Sequence, residues 1–205
     1  MKKYLPIVLF IFCTTFFGSV SKIFAQDYIP IFYQDYSSRL SLEIDPITFL
    51  YRGYSLHAQY QPMFSDHLLI GVGIYALDLP EQIVDFNSEN RDEGWDVRIR
   101  SAYFIKGEYY VKKANHGWFL GEQIGFQSFR VSNNAEVSGS TSFNNILLLT
   151  YLGYSWHPYK GSFYIKPWAG LGYTAKVDGV NRVGSMTYDI GPLFPFVTVH
   201  LGYTF

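Results

Sequence analysis

The stretch that decides the fold is Val197-Thr198-Val199-His200-Leu201-Gly202-Tyr203-Thr204-Phe205. Apolar side chains occupy every second position, and small or polar side chains occupy the positions between them. In a β-strand, successive side chains point to opposite surfaces of the sheet. The stretch therefore predicts a strand with one apolar face and one face of small and polar groups.

The same period of two recurs in seven further segments of the chain. These predicted strands lie at residues 40–45, 54–61, 68–76, 97–110, 118–130, 145–157 and 163–176. Short turns at 61–66, 112–117 and 158–162 alternate along the chain with connections at 46–53, 79–95, 131–144 and 177–193, of which the last three are long. This alternation predicts an all-β fold, an eight-stranded antiparallel barrel over residues 40–205 with both of its ends on the short-turn side.

Two observations predict that the apolar face is the outer one. The other face carries eight glycines beside large rings such as Tyr75, Phe104 and Trp168. Alternating small and large residues are typical of the interior of a narrow barrel, because the small residues leave room for the large side chains. The apolar face carries almost no charge apart from Glu122, and a basic side chain facing lipid costs ~2–4 kcal/mol at the midplane. We therefore predict a transmembrane β-barrel. The alternative is a soluble β-protein, a barrel or a sandwich, with the apolar face inward.

The first 25 residues have the layout of a secretory signal peptide. Lys2 and Lys3 precede a short apolar run, and small residues lead up to Ala25, after which we expect cleavage. The alternative is an uncleaved anchor, for which the run is short. Residues 26–39 are the predicted N-terminal periplasmic segment, which either plugs the barrel mouth or extends the first strand. The sole cysteine, Cys13, lies in the leader, so disulfides cannot hold the barrel.

The composition excludes two broad classes of protein. Charged residues make up 16% of the chain and aromatic residues 20%, whereas a soluble domain has roughly 25% charged residues. A disordered chain needs high charge and few aromatics. A nucleic-acid partner is also not expected, because no basic stripe is present. Without the leader, 13 basic and 17 acidic residues give a formal charge of −4.

The final strand resembles the terminal signal of Gram-negative outer-membrane proteins, in which alternating apolar residues lead to a last aromatic, here Phe205. With the leader and the strand count, the chain is similar in architecture to the small OmpA-, OmpX-, OmpW- and PagL-type barrels. The resemblance implies residence in the outer membrane among its lipids. It also implies that the outer-membrane assembly machinery recognises the strand ending at Phe205.

Several polar residues are predicted to meet inside the barrel. Glu43 and Asp45 lie across from His57 and Ser55, and closure of the barrel brings His200 to the same level. Carboxylates, imidazoles and a hydroxyl together are the groups of an acid–base or metal site. The simpler interpretation, which we adopt, is a structural network of paired buried charges, with no metal or cofactor. Its predicted cations are Arg98, Arg100, Lys106, Lys166 and Lys176, and its predicted anions include Glu108.

Three functions are compatible with these features. The leading hypothesis is a barrel with a filled lumen that acts in envelope structure or surface interaction. The second is a narrow conduit for small apolar molecules, as proposed for OmpW-type barrels. The third is a lipid-modifying enzyme, although Ser55-x-His57 reverses the His-x-Ser order of the lipid A deacylases. The acidic residues of 79–95 indicate either a solvated loop or one that binds cations or lipopolysaccharide.

Overall fold

The computed structural model describes residues 38–135 and 139–205. The predicted signal peptide, its cleavage site after Ala25, Cys13 and residues 26–37 lie outside the described residues. Eight strands close into one antiparallel barrel: β1 (Arg39–Ile44), β2 (Tyr54–Gln61), β3 (Leu68–Asp78), β4 (Trp95–Tyr110), β5 (Gly117–Asn133), β6 (Ser140–Ser155), β7 (Phe163–Gly179) and β10 (Leu193–Thr204). The predicted eight-stranded transmembrane β-barrel is confirmed.

The remaining elements belong to the long loops. Helix α1 (Pro46–Leu50) joins β1 to β2, and helix α2 (Glu81–Val84) lies between β3 and β4. Strands β8 (Arg182–Val183) and β9 (Met186–Thr187) form a small ribbon in the connection before β10. Among the described residues, no helix is long and apolar enough to cross a membrane. Since outer-membrane barrels have short periplasmic turns and long outer loops, we call the short-turn end periplasmic and the other end extracellular.

The apolar side chains point outward along the lower barrel. Val197 is 79% exposed, whereas its neighbour Thr198 is buried. Ile165 is likewise half-exposed next to the buried Lys166. Aromatic side chains encircle the periplasmic strand ends on the outside, where amphipathic rings favour the membrane interface; they include Tyr60, Trp118, Tyr154, Trp156, Phe163 and Tyr203. This exterior is suited to lipid rather than to water.

Above this belt the pattern inverts at a β-bulge. The pairing of β4 with β5 shifts register between Ile99 and Ser101, and one inserted residue exchanges the two faces of a strand. Val97 and Ile99 therefore point inward and are buried, whereas Arg98 and Arg100 lie on the outer side. The prediction that both arginines line the lumen is wrong, because above the bulge apolar side chains take the inward positions of β4 and the arginines take the outward ones.

The connection predicted over residues 131–144 is shorter in the structure. The ladder between β5 and β6 continues through Val131 opposite Thr141 to Ser132 opposite Ser140, so β5 ends at Asn133 and β6 begins at Ser140. Phe129 and Val131 pack with Phe143 in a cluster inside the extended hairpin. Burial of these side chains above the membrane extends the strands beyond the predicted ends.

Glycines in the lower wall provide room for the rings that fill the lumen. A Cβ on Gly121 would lie 2.3 Å from Cζ of Tyr151, and one on Gly202 would lie 2.2 Å from Cζ of Tyr164. Phe104 covers Gly73 in the same way. The periplasmic half of the lumen is thus filled, as the small-next-to-large pattern predicted.

Candidate functional site: a cavity above an ionic layer

Four charged side chains cross the lumen in one layer. Lys106 bridges Glu43 at 2.9 Å and Glu108 at 3.2 Å. Lys166 contacts the same two carboxylates, with Glu108 at 2.8 Å. All four side chains are essentially fully buried, and two positive charges balance two negative ones. We call this group the ionic layer; it satisfies the rule that buried charges are paired.

Tyrosine hydroxyls and one imidazole complete the hydrogen bonds of the two carboxylates. Tyr164 donates to Oε1 of Glu43 at 2.8 Å, and Tyr151 and Tyr110 each donate to Glu108 at 3.0 Å. His200 lies 3.2 Å from Oε2 of Glu43 through Nδ1. Further hydrogen bonds tie Asn115 to Ser41 and Thr204 at the periplasmic mouth. The layer therefore closes the lumen with polar groups that are held on several sides.

The structure brings together the five candidate residues predicted from the sequence. His57 lies opposite Glu43 in the ladder, Nε2 of His57 lies 2.8 Å from Oγ of Ser55, and the rings of His57 and His200 meet edge to face at 4.5 Å. The backbone N–H of Asp45 donates to Oγ of Ser55 at 3.2 Å. Their juxtaposition was predictable because each strand register follows from the alternation.

Two of the predicted cations take part in this network and three do not. Lys106 and Lys166 form the ionic layer, whereas Arg98 forms an ion pair with Asp78 outside it. Arg100 is exposed, and the exposed Lys176 donates to Asn181 in a loop. The bulge between Ile99 and Ser101 explains why Arg98 and Arg100 lie outside the lumen. Lys176 lies near the extracellular rim, away from the ionic layer.

The hydrogen bonds around Ser55 do not form a nucleophile relay. Lys106 can only donate, so at 3.4 Å it favours Nδ1 of His57 as an acceptor. Nε2 of His57 then carries the proton and donates to Ser55, which is the reverse of what a general base requires. Nδ1 of His57 also lies 3.8 Å from the Glu43 carboxylate, beyond hydrogen-bond distance.

Three of these groups have the spacing of metal ligands. Glu43, His57 and His200 offer ligand atoms within 4.8 Å of one another. However, the ammonium of Lys106 lies 2.9 Å from this carboxylate and 3.4 Å from the His57 ring. A metal ion here would be repelled by that fixed positive charge. Glu43, His57 and His200 therefore surround the ammonium of Lys106 rather than a metal ion.

A cavity of about 220 Å³ opens directly above the ionic layer. Its floor contains His57, His200 and Trp168, whose indole N–H donates to Nε2 of His200 at 3.1 Å. Its walls are mostly aliphatic and aromatic, with Leu147, Leu149, Phe104, Phe129, Phe194 and Phe196 among them. The sequence-based expectation of a filled lumen is therefore wrong at this level, although nearer the extracellular end Trp95, Phe143 and Tyr188 pack together in an apolar cluster.

Two loops cover part of the cavity on the extracellular side. Asn90 and Asp189 exchange hydrogen bonds at 2.8 Å in both directions, and this joins the loop containing α2 to the loop before β10. Tyr188 and Ile190 line the cavity from above. Burial raises the pKa of Tyr188 to about 12, so its phenol stays neutral in this lid. We call these two joined loops the lid.

Two amides on the cavity wall were not singled out from the sequence. Gln127 and Asn145 lie opposite each other on β5 and β6. Oε1 of Gln127 and Oδ1 of Asn145 are buried and have no hydrogen-bond partner among the described residues. Their inward positions follow from the alternation, but nothing in the sequence indicates that the space before them is empty.

Comparison with solved structures shows the class of protein to which this fold belongs. A major outer membrane protein from Thermus thermophilus matches 82% of this chain and 100% of its own, with a TM-score of 0.50 at 11% identity. The N-terminal β-barrel domain of Pseudomonas aeruginosa OprF matches with a TM-score of 0.42 at 11% identity, over 83% of this chain and 98% of that domain. Ail, the attachment invasion locus protein of Yersinia pestis, matches with a TM-score of 0.42 at 13% identity, over 82% of this chain and 97% of its own.

The fold is that of the small outer-membrane β-barrels, as the strand count and the alternation predicted. No protein-family profile matches the chain. No curated protein sequence matches it either. At 11% identity, the similarity to the Thermus protein shows the fold alone.

Proposed function

We propose that this chain is an integral outer-membrane protein that holds an apolar chain in the extracellular half of its lumen and does not conduct ions. The observation that carries the proposal is the apolar cavity of about 220 Å³ above a sealed ionic layer. Cavities lined by aliphatic and aromatic side chains stay dry and accept apolar ligands. An envelope or surface-interaction role, expected from the sequence, stays a prediction beside this one.

The ionic layer argues against a continuous conduit through the barrel. An apolar molecule crossing the lumen would have to separate Lys166 from Glu43 and Glu108, and breaking a buried ion pair costs about 3–5 kcal/mol. The ring of Phe119 also lies 5.3 Å from the Lys166 ammonium. The geometry therefore supports binding from the extracellular half rather than passage to the periplasmic end.

The size of the cavity limits what it holds. A cavity of roughly 150 Å³ accepts benzene, so 220 Å³ accommodates on the order of eight carbon atoms. The ligand is then a short apolar molecule or the end of a longer alkyl chain. The imidazoles of the floor and the amides of Gln127 and Asn145 would meet any polar group that it carries.

The experiment is a binding titration of a fluorescent fatty acid against the full chain refolded in detergent. Leu149→Trp fills the cavity and should abolish binding, whereas Leu152→Trp places the same bulk on the outer face of the same strand and should not. Planar-bilayer recordings of the same protein should show no discrete conductance. Equal binding by both variants, or stable single-channel steps, would contradict the proposal.

A further inference from the structure

The barrel wall has a gap where β1 ends. β1 pairs with β10 only from Ser41 opposite Thr204 to Ile44 opposite Leu201. On the other side, β1 pairs with β2 only as far as Glu43 opposite His57. Above this level the described residues provide no strand between β2 and β10, since the chain turns into α1. Two strands separated by a third lie about 9–10 Å apart. In this space α1 packs against both β2 and β10 without a strand ladder, and we call the seam between α1 and β10 the gap.

The gap lies at the level of the membrane. Tyr203, half-exposed at the periplasmic end of β10, marks one interface. The stretch from Tyr203 to Val197 spans roughly 20 Å along the strand, which is about 15 Å along the membrane normal at the usual tilt. The free edge of β10 above Leu201 therefore begins in the periplasmic leaflet, roughly 5 Å above Tyr203, and passes the middle of the bilayer near Val197.

The cavity reaches this gap. Its lining includes Pro195 and Val197, whose side chains point to the lipid-facing exterior, as well as the inward Phe194 and Phe196. On the other side, its lining includes Ile47 of α1. The ionic layer closes the cavity from below and the lid covers part of it from above, so the gap offers a lateral route into the cavity.

One residue spans the gap with side-chain and backbone hydrogen bonds. The hydroxyl of Thr198 donates to Oδ2 of Asp45 at 2.7 Å, Oδ1 of Asp45 accepts the N–H of Ile47 at 2.9 Å, and the N–H of Asp45 donates to Ser55. Asp45 thus joins β10, α1 and β2 in place of a strand ladder. We call the Asp45–Thr198 hydrogen bond the latch.

We propose that the gap between β10 and α1 is a lateral opening through which the acyl chain of an outer-leaflet lipid inserts its end into the cavity, with the latch controlling its width. This inference rests on the proposed function, because it assumes that the cavity binds an alkyl chain. It adds the source of that chain and its route. A single latch hydrogen bond breaks far more readily than a run of ladder hydrogen bonds.

The test measures short-range NOEs between lipid protons and the methyl groups of Leu147 and Leu149 in the refolded full chain, otherwise deuterated. In one sample only the phospholipid chains carry protons, and in the other only added stearate does. We expect both ligands to give NOEs to these cavity methyls. Leu152, exposed on the outer wall, reports contact with bulk phospholipid in the first sample and with stearate dissolved in the bilayer in the second.

The latch is then locked by a disulfide in the variant Asp45→Cys/Thr198→Cys, with Cys13→Ser. Locking should abolish the phospholipid NOEs to the cavity methyls, and reduction should restore them. Thr198→Val removes the latch and should strengthen these NOEs. Thr204→Val removes the hydrogen bonds of Thr204 to Ser41 at 2.9 Å and from Asn115 at 3.1 Å, both lower in the same seam, and should leave the NOEs unchanged.

The two ways of failing are distinguishable. Absence of cavity NOEs from both ligands in the wild-type protein would overturn the proposed function and this inference together. NOEs from stearate but not from phospholipid would keep the proposed function and overturn the lateral route. The lateral route would also be overturned if the phospholipid NOEs persisted in the locked variant or if Thr198→Val and Thr204→Val gave the same result.

Discussion

The hydroxyl of Thr198 meets the carboxylate of Asp45 at 2.7 Å, and this contact joins β10 to the segment that replaces β1 in the wall. The same carboxylate caps α1, so a single side chain orders both borders of the gap. A hydrogen bond to a charged group contributes about 1.5–3 kcal/mol.

Thr198→Val should therefore lower the free energy of unfolding by about 1.5–3 kcal/mol, since it deletes the latch and keeps the shape of the side chain. Urea titration of the barrel in vesicles measures this change. Thr204→Val removes two bonds between neutral groups lower in the same seam, to Ser41 and from Asn115, and should cost about 0.5–1.5 kcal/mol for each. An unchanged free energy of unfolding in Thr198→Val would contradict the role assigned to Asp45.

The ionic layer predicts a strong coupling between its members. Lys166→Met leaves Glu43 and Glu108 facing a single lysine, and it should destabilise the barrel by about 3–5 kcal/mol. Glu108→Gln added to Lys166→Met restores the balance of charge and should recover part of this loss. A double-mutant cycle by urea unfolding gives the coupling energy, and a coupling near zero would show that the four charges do not act as a unit.

The rings packed on glycines predict sharp steric limits. Gly121→Ala places a Cβ 2.3 Å from Cζ of Tyr151, so the ring and its hydrogen bond to Glu108 must shift. We expect a loss of about 1–3 kcal/mol. Gly191→Ala in the lid is the control, because its nearest neighbour would be Asn87 at an ordinary 3.5 Å. Equal stabilities of the two variants would mean that Tyr151 does not fill the lumen as described.

A pair of stacked histidines at the periplasmic turns predicts that the free energy of unfolding depends on pH. The rings of His116 and His157 lie 4.1 Å apart, and burial, followed by the nearby His116, lowers the pKa of His157. The unfolded chain then binds more protons than the folded one as the pH falls through about 6.5, so the free energy of unfolding should fall with it.

The measurement is urea unfolding in vesicles at about pH 8 and about pH 5. His157→Gln should reduce the acid-induced loss, and His116→Gln should reduce it by less, because desolvation of His157 is the larger cause. Identical pH profiles for wild type and His157→Gln would remove this explanation.

The features of the fold and of the site that depend on the pattern along one strand were predictable from the sequence, whereas those that depend on contacts between distant side chains were not. Outward Val197 and inward His200 follow directly from a period of two. The pairing of Glu43 with His57 follows from the short connection between β1 and β2, and barrel closure brings His200 to their level. The bulge between Ile99 and Ser101 was not predictable. Val97 and Ile99 alternate with polar residues whether the apolar side chains point outward to lipid or inward to an apolar interior, so the sequence pattern is the same in both cases. The early end of β1 and the presence of the cavity were not predictable either. Both depend on how far side chains from different strands extend across the lumen, and the pattern along a single strand contains no information about this.

The most direct test of the account is a high-resolution crystal structure of the protein extracted from its membrane in mild detergent with native lipid retained. We predict elongated apolar density between Leu147, Phe104 and Trp168, continuing through the gap beside Val197, with the ionic layer closed beneath it. A cavity filled with ordered water that continues past Lys166 to the periplasmic end would contradict the account.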